Sequence, residues 1–193
     1  QNKPTELLDR IYAIWDLSQH KLVKSLDDIF SYYSILNDLF PMPLWSPDGK
    51  YFVMKGAILK QDHAEYELFR VSRDGQTEQL THLNSVAYIQ ESYPWGSSIS
   101  WSPDGRYLGL YLGKRSGFEE QARVALLDTL TNKVIDYCFP LTYGGKGYGS
   151  VIPDAPIWSP DGKQFLVVDW YEKDHQHVIL VDIVQGVAAI IAE

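Results

Sequence analysis

Trp45-Ser46-Pro47-Asp48-Gly49 returns as Trp101-Ser102-Pro103-Asp104-Gly105 and again as Trp158-Ser159-Pro160-Asp161-Gly162. A basic residue follows each copy: Lys50, Arg106 and Lys163. The copies lie 56 and 57 residues apart, and a fixed period of this size marks a repeat architecture. Within the string, Pro presets the first central position of a type I turn and Asp suits the second. Gly takes the left-handed position that closes a hairpin with a bulge. Ser46, Ser102 and Ser159 therefore read as turn formers, as do Asp48, Asp104 and Asp161, and not as nucleophiles or paired catalytic carboxylates.

The flanks are strand-like. Pro43-Leu44-Trp45, Ile99-Ser100-Trp101 and Pro156-Ile157-Trp158 lead into the turns. Tyr51-Phe52-Val53-Met54, Tyr107-Leu108-Gly109-Leu110-Tyr111 and Phe165-Leu166-Val167-Val168 lead out. The outgoing strands are apolar at successive positions, which predicts burial on both faces and sheets stacked face to face. A second strand pair follows each hairpin: Tyr66 to Val71 with Thr77 to Leu80, Arg123 to Asp128 with Lys133 to Tyr137, and His177 to Ile183 with Val187 to Ile191. The same pattern stands alone near the start, as Arg10 to Trp15 with His20 to Lys24, behind a polar lead-in over residues 1–9. Each repeat is thus four antiparallel strands, A to D, with the Trp on A. Asp16, Arg70, Asp128 and Asp182 are assigned to the matching end of strand C.

Four-stranded repeats of this kind are the unit of a β-propeller. The Trp-Ser-Pro-Asp-Gly-Lys/Arg string resembles the WD40-like repeat of TolB-type proteins, also found in dipeptidyl-peptidase propellers, and the resemblance covers residues 10–193. It implies an all-β fold: a propeller-type array of four-stranded antiparallel blades, three complete plus an N-terminal half-blade, forming a partial or open propeller. The expected layout is one domain over 1–193, with a half-blade at 10–24 and blades at 44–80, 99–137 and 156–193. The resemblance also implies that Trp45, Trp101 and Trp158 sit on the innermost strand and wedge between neighbouring blades. Asp48, Gly49, Asp104, Gly105, Asp161 and Gly162 complete the structural repeat. The fold alone names no function.

Composition narrows the classes. The chain has 193 residues, enough for a sizeable core, and a net charge of −8. That charge disfavours nucleic acid and anionic membrane surfaces, which want a basic face. The apolar run Val187 to Ala192 is too short to span a bilayer. Cys138 is the only cysteine, so no intrachain disulfide or thiolate cluster forms. Between Tyr137 and Phe139 it reads as a small buried hydrophobe, and it does not set the compartment.

The links between strand D and the next strand A are long, over 25–43, 81–98 and 138–155. In the first, Ser25 is a candidate N-cap. Leu26, Ile29, Phe30, Tyr33, Leu36 and Phe40 follow at helical spacing and Pro41 ends the run, which predicts a short helix. The B–C links, Lys60 to Glu65, Gly113 to Gln121 and Tyr171 to Gln176, read as polar loops, with Glu119-Glu120 at a solvated tip.

Chemistry-bearing motifs are few. Gly144-Gly145-Lys146-Gly147-Tyr148-Gly149 could cradle a phosphate, but Pro153 and Pro156 follow and no helix N-terminus is signalled, so a plain loop is the simpler reading. His175 and His177 alternate on one strand face and could share a metal, yet no third ligand is nominated. No Gly-x-Ser-x-Gly elbow occurs. These residues call for no catalytic group, metal or cofactor.

What remains is aromatic. The resemblance places the D–A and B–C links on one face and the turns on the other. Tyr32, Tyr33, Tyr88, Tyr93, Trp95, Tyr143 and Tyr148 would then gather at one rim, where aromatics bury area at little rotamer cost. The alternative is that they pack the links onto the blades. The expected function is a non-catalytic binding or scaffold module. Its partner is a protein or the remainder of a longer propeller chain, with no nucleic acid and no membrane insertion. Two rivals stand beside it: the accessory propeller of a prolyl oligopeptidase-like serine peptidase, and a metal-dependent lyase on acidic sugars resembling the oligogalacturonate lyases.

Overall fold

The computed structural model describes residues 13–26, 43–61, 64–84, 87–89, 98–116, 119–141, 154–172 and 175–193. Among them there is no helix. The chain forms four antiparallel sheets in sequence order. A half-blade pairs β1 (Ala13–Asp16) with β2 (Lys21–Ser25). The first blade orders β3 (Leu44–Trp45), β4 (Tyr51–Leu59), β5 (Ala64–Ser72) and β6 (Thr77–Gln79). A short β7 (Tyr88–Ile89) follows. The second blade runs β8 (Ser100–Trp101), β9 (Tyr107–Ser116), β10 (Glu119–Asp128) and β11 (Lys133–Pro140). The third runs β12 (Ile157–Trp158), β13 (Gln164–Glu172), β14 (His175–Asp182) and β15 (Val187–Ala192). This is an open propeller-type array.

The repeated turn explains its own sequence. Gly105 N–H donates to the Ser102 carbonyl at 2.9 Å, and the Ser102 hydroxyl donates to Asp104 Oδ1 at 2.5 Å. The same carboxylate accepts the Arg106 N–H at 3.1 Å, and Tyr107 N–H donates to Ser102 Oγ at 2.8 Å. Gly49, Gly105 and Gly162 take φ values of +64°, +72° and +68°, which an L side chain rarely adopts. The turn between β5 and β6 repeats the device in Ser72-Arg73-Asp74-Gly75, where the Ser72 hydroxyl donates to Asp74 and Gly75 lies at φ +84°.

Pairing corrects the register in the first blade. Phe52 opposes Val71 as Leu108 opposes Leu127 and Phe165 opposes Val181. The residue equivalent to Asp128 and Asp182 is therefore Ser72, not Arg70. Arg70 lies two positions back and pairs with Glu78. Counting chose the wrong residue because the turn there opens on Ser where the other blades use Asp.

The apolar pattern buries both faces of the middle blade. Leu108, Leu110, Leu112, Ala125 and Leu127 pack with Val53, Leu68 and Leu80 of the first blade. Tyr111, Val124 and Leu126 on the opposite face pack with Phe165, Val167, Ile179 and Val181 of the third. Phe52, Met54, Phe69 and Val71 on the back of the first blade meet Leu26 and Ile14 from the half-blade.

Three further readings change. The described residues of the second and third B–C links are strand: Glu119 and Glu120 pair with Ser116 and Arg115, and His175 pairs with Glu172. Polar side chains there reflect strands that outrun the core, not loops. Cys138 is exposed, not buried. It lies at φ +54° where β11 bulges, with Asp136 opposite Ala125 and Pro140 opposite Arg123. Its N–H turns to Asp136 Oδ1 at 2.8 Å. Strand A of the second blade comes in two pieces, because β7 joins the same edge of β9 as β8, Ile89 opposite Leu112. Ser25 ends β2, and the helix expected after it falls on residues 27–42, outside the described residues.

Candidate functional site

Two ends of the blades differ in chemistry. At one end lie the three repeated turns, each with an exposed carboxylate and a basic neighbour. The Lys50 ammonium, 2.9 Å away, and then the Ser46 hydroxyl hold the Asp48 carboxyl down at about 2. Asp161 is lowered as well, by the Ser159 hydroxyl first and the Lys163 N–H next. These groups satisfy one another within a turn.

The opposite end receives the links. Leu141 N–H donates to the Ala122 carbonyl at 2.8 Å, where the third link leaves β11. The second link is pinned by a carboxylate. Glu67 is 1 % exposed; it accepts the Thr81 hydroxyl at 2.5 Å, Leu83 N–H at 2.6 Å and Asn84 N–H at 3.1 Å. A buried carboxylate is tolerated when hydrogen bonds replace its water. The local pattern does not single it out, since Glu65 two residues before it lies on the same row.

The first two blades also reach forward at this end. Lys55 Nζ donates to the Ile89 carbonyl at 3.2 Å, and Tyr111 OH donates to the Asp154 carbonyl at 2.8 Å. Burial, with Asp154 and Asp169 nearby, pushes the Tyr111 hydroxyl far above its ordinary range, so it stays a neutral donor. Pairing makes Val168 the third-blade equivalent, which carries no polar group.

Of the aromatic candidates, Tyr88 is placed by its backbone opposite Gly113 in β9. Tyr32, Tyr33, Tyr93, Trp95, Tyr143 and Tyr148 lie outside the described residues. His175 and His177 share a face of β14. His177 Nε2 stands 3.8 Å from Glu193 Oε1. Among the described residues no three His, Cys, Asp or Glu side chains group as a metal site.

The three Trp residues part company. Trp101 Nε1 donates to the Leu44 carbonyl of the blade before it at 3.2 Å and meets the Tyr51 ring edge-on at 5.6 Å. Trp158 Nε1 donates to the Ser100 carbonyl at 3.2 Å and its hydroxyl at 3.1 Å. These two are interblade wedges. Trp45 is not: it is 49 % exposed, because the half-blade has no strand A among the described residues for it to reach. It opens instead on a cleft of about 850 Å³ lined by Ala13, Trp15, Pro43, Gly49, Phe52 and Arg73 among others.

No protein-family model matches the chain, and no curated protein resembles it in sequence. Solved structures do resemble it in shape. Porphyromonas gingivalis dipeptidyl peptidase 4 is 11% identical, with a TM-score of 0.54 over 78% of this chain and 25% of its own. The β-propeller domain of the trilobed protease from Pyrococcus furiosus, described as having an open velcro topology, is 10% identical, with a TM-score of 0.50 over 80% of this chain and 42% of its own. TolB from Acinetobacter baumannii is 18% identical, with a TM-score of 0.46 over 92% and 36%. The chain spans less than half the length of each, and at these identities the likeness is one of fold.

Proposed function

We propose that the chain is a non-catalytic binding or scaffold module, an arc of a longer propeller whose link end receives a protein partner. The observation that carries this reading is the built link end. Glu67 fixes the path of the second link, β7 adds it to the sheet edge beside β9, and Lys55 and Tyr111 tie the lead-in segments to the blades. Loops held on a rigid scaffold are where binding residues concentrate. Tyr88, Tyr93, Trp95 and Tyr148 belong to these links and supply large, stiff contact surfaces.

The test compares two triple variants. Tyr93, Trp95 and Tyr148 are changed to Ala in one, and Lys50, Arg106 and Lys163 in the other. The first set should abolish retention of a purified partner while leaving thermal melting unchanged, and the second should leave retention intact. Loss of retention in the second set alone would reverse the assignment of the binding end.

A second reading follows from the likeness to dipeptidyl peptidase 4: the arc belongs to the propeller of a serine peptidase. It requires a Gly-x-Ser-x-Gly elbow elsewhere in the native polypeptide, so the length and sequence of the full gene product decide between the two.

A further inference from the structure

Four Asp-Gly pairs occur in the chain: Asp48-Gly49, Asp74-Gly75, Asp104-Gly105 and Asp161-Gly162. Such a pair is open to isomerisation, because glycine has no Cβ to shield its nitrogen, and that nitrogen can attack the neighbouring Asp Cγ. In all four the fold engages the nucleophile: the Gly N–H donates to the carbonyl of the turn serine at 2.8–3.0 Å. The electrophile is held less evenly. Asp48, Asp104 and Asp161 each accept two donors on Oδ1, the Ser hydroxyl and the backbone N–H of Lys50, Arg106 or Lys163 at 3.1 Å. The turn between β5 and β6 is one residue shorter. Ser72 N–H closes it on the Gln76 carbonyl, whereas the repeated turns close Ser46 on Tyr51, Ser102 on Tyr107 and Ser159 on Gln164. The Gln76 N–H is therefore spent on Ser72 Oγ, at 3.0 Å. Asp74 keeps the Ser72 hydroxyl and, at 3.0 Å, the side-chain amide of Gln76. That side chain is exposed and must be ordered at an entropic cost.

We propose that Asp74-Gly75 is the chain's isoaspartate-forming site and that its conversion loosens the half-blade. Gly75 N bonds to Asp74 Cγ, the amide proton and the carboxyl hydroxyl leave as water, and a succinimide ring closes. Water then opens the ring at either carbonyl. Opening at Cγ restores aspartate; opening at the Asp74 main-chain carbonyl leaves Gly75 linked through Cγ. The isoaspartyl form carries the main chain through Asp74 Cβ, which lengthens it by a methylene carbon and displaces Gly75. Gly75 has no room to move. It lies at φ +84°, and a Cβ on it would stand 2.5 Å from both Cβ and Cγ of Lys24 in β2. The lengthened turn must therefore push β2 from its place beside the first blade.

The full 193-residue chain is held at neutral pH, sampled over weeks, digested and read by electron-transfer fragmentation, which distinguishes aspartyl from isoaspartyl links. Isoaspartate should accumulate at position 74 about fivefold faster than at 48, 104 or 161, the effect of one hydrogen bond on the share of released carboxylate. Ser72→Ala should speed position 74 further and leave the other three unchanged. In urea, where the turns are gone, the four rates should converge. The aged fraction carrying isoaspartate at 74, separated by chromatography, should exchange amide hydrogens faster at residues 21–25 than the fresh chain. Equal rates at the four pairs in the folded chain overturn the proposal. So does the same ranking in urea as in buffer, which would assign the rate to the flanking residues and not to the turn. Unchanged exchange at residues 21–25 in the aged fraction overturns it as well, because Gly75 would then have moved without disturbing β2.

Discussion

The same residue type in the same motif does different work at three positions. Trp101 is half-buried, bonded to Leu44 and stacked edge-on against Tyr51. Trp101→Ala should cost about 3 kcal/mol, the usual range for a packed aromatic. Trp45→Ala should cost about 1 kcal/mol, since its indole is half in solvent. Urea unfolding of the two variants under one condition checks the difference, and equal losses would mean that the first junction is filled. Glu67 makes the opposite case. Its truncation strands one buried hydroxyl and two partly buried backbone donors, so Glu67→Ala should cost about 3 kcal/mol and loosen residues 81–84 in hydrogen exchange. The importance of Trp101 was legible from the repeat. That of Glu67 was not, because its partners come from a link with no periodicity to read.

Elements were legible wherever local chemistry sets them. The turns announce themselves through Pro, Asp and Gly, and the flanking strands through successive apolar residues. Strand length was not legible, because the ladders of β9 with β10 and β13 with β14 continue past the core into polar sequence. Nor was β7, a two-residue strand held by an edge left open where β8 stops. Close packing of neighbouring sheets carries its own prediction. A Cβ on Gly109 would stand 3.0 Å from Pro156 Cβ and 3.5 Å from Trp158. Gly109→Val must therefore push the second and third blades apart, at about 1–3 kcal/mol, and should raise Trp158 accessibility to a fluorescence quencher. An unchanged quenching constant would count against the tight junction. The turn carboxylates predict a pH effect. Asp16, Asp48, Asp74, Asp161 and Asp182 all titrate below their ordinary values when folded. The folded state then binds fewer protons than the unfolded one. The stability these groups add is fully present above about pH 4, the unfolded carboxylate range. It is lost as pH falls through their folded values, about 2 for Asp48. The urea midpoint should fall from pH 5 to pH 2, and Asp48→Asn should flatten part of that slope.

At the scale of the whole molecule the two flanks are unlike the middle. Ile157, Leu166, Leu180 and Ala189 oppose one another across the third blade, on the face turned away from the second. In the middle blade the corresponding Gly109 and Leu126 are buried, whereas Leu166 and Leu180 are half-buried. Here Ile157 is 60 % exposed. Beside it the outer edge of β15, Val187-Ala188-Ala189-Ile190-Ile191-Ala192, has no strand partner among the described residues, and Ile191 is 56 % exposed. Trp15 and Leu17 are exposed on the half-blade flank. Bare apolar patches and unpaired strand edges drive association, and repeat arrays need polar caps to stay soluble. The isolated chain should therefore self-associate as its concentration rises. Ile157→Lys combined with Ile191→Lys places charge on the flank and its edge without touching the cores between blades. That variant should return the chain to a monomer in sedimentation velocity while keeping its thermal midpoint within a few degrees. If the parent chain already sediments as a compact monomer at high concentration with no partner bound, the flanks are covered by the chain's own residues and the array is closed, not open.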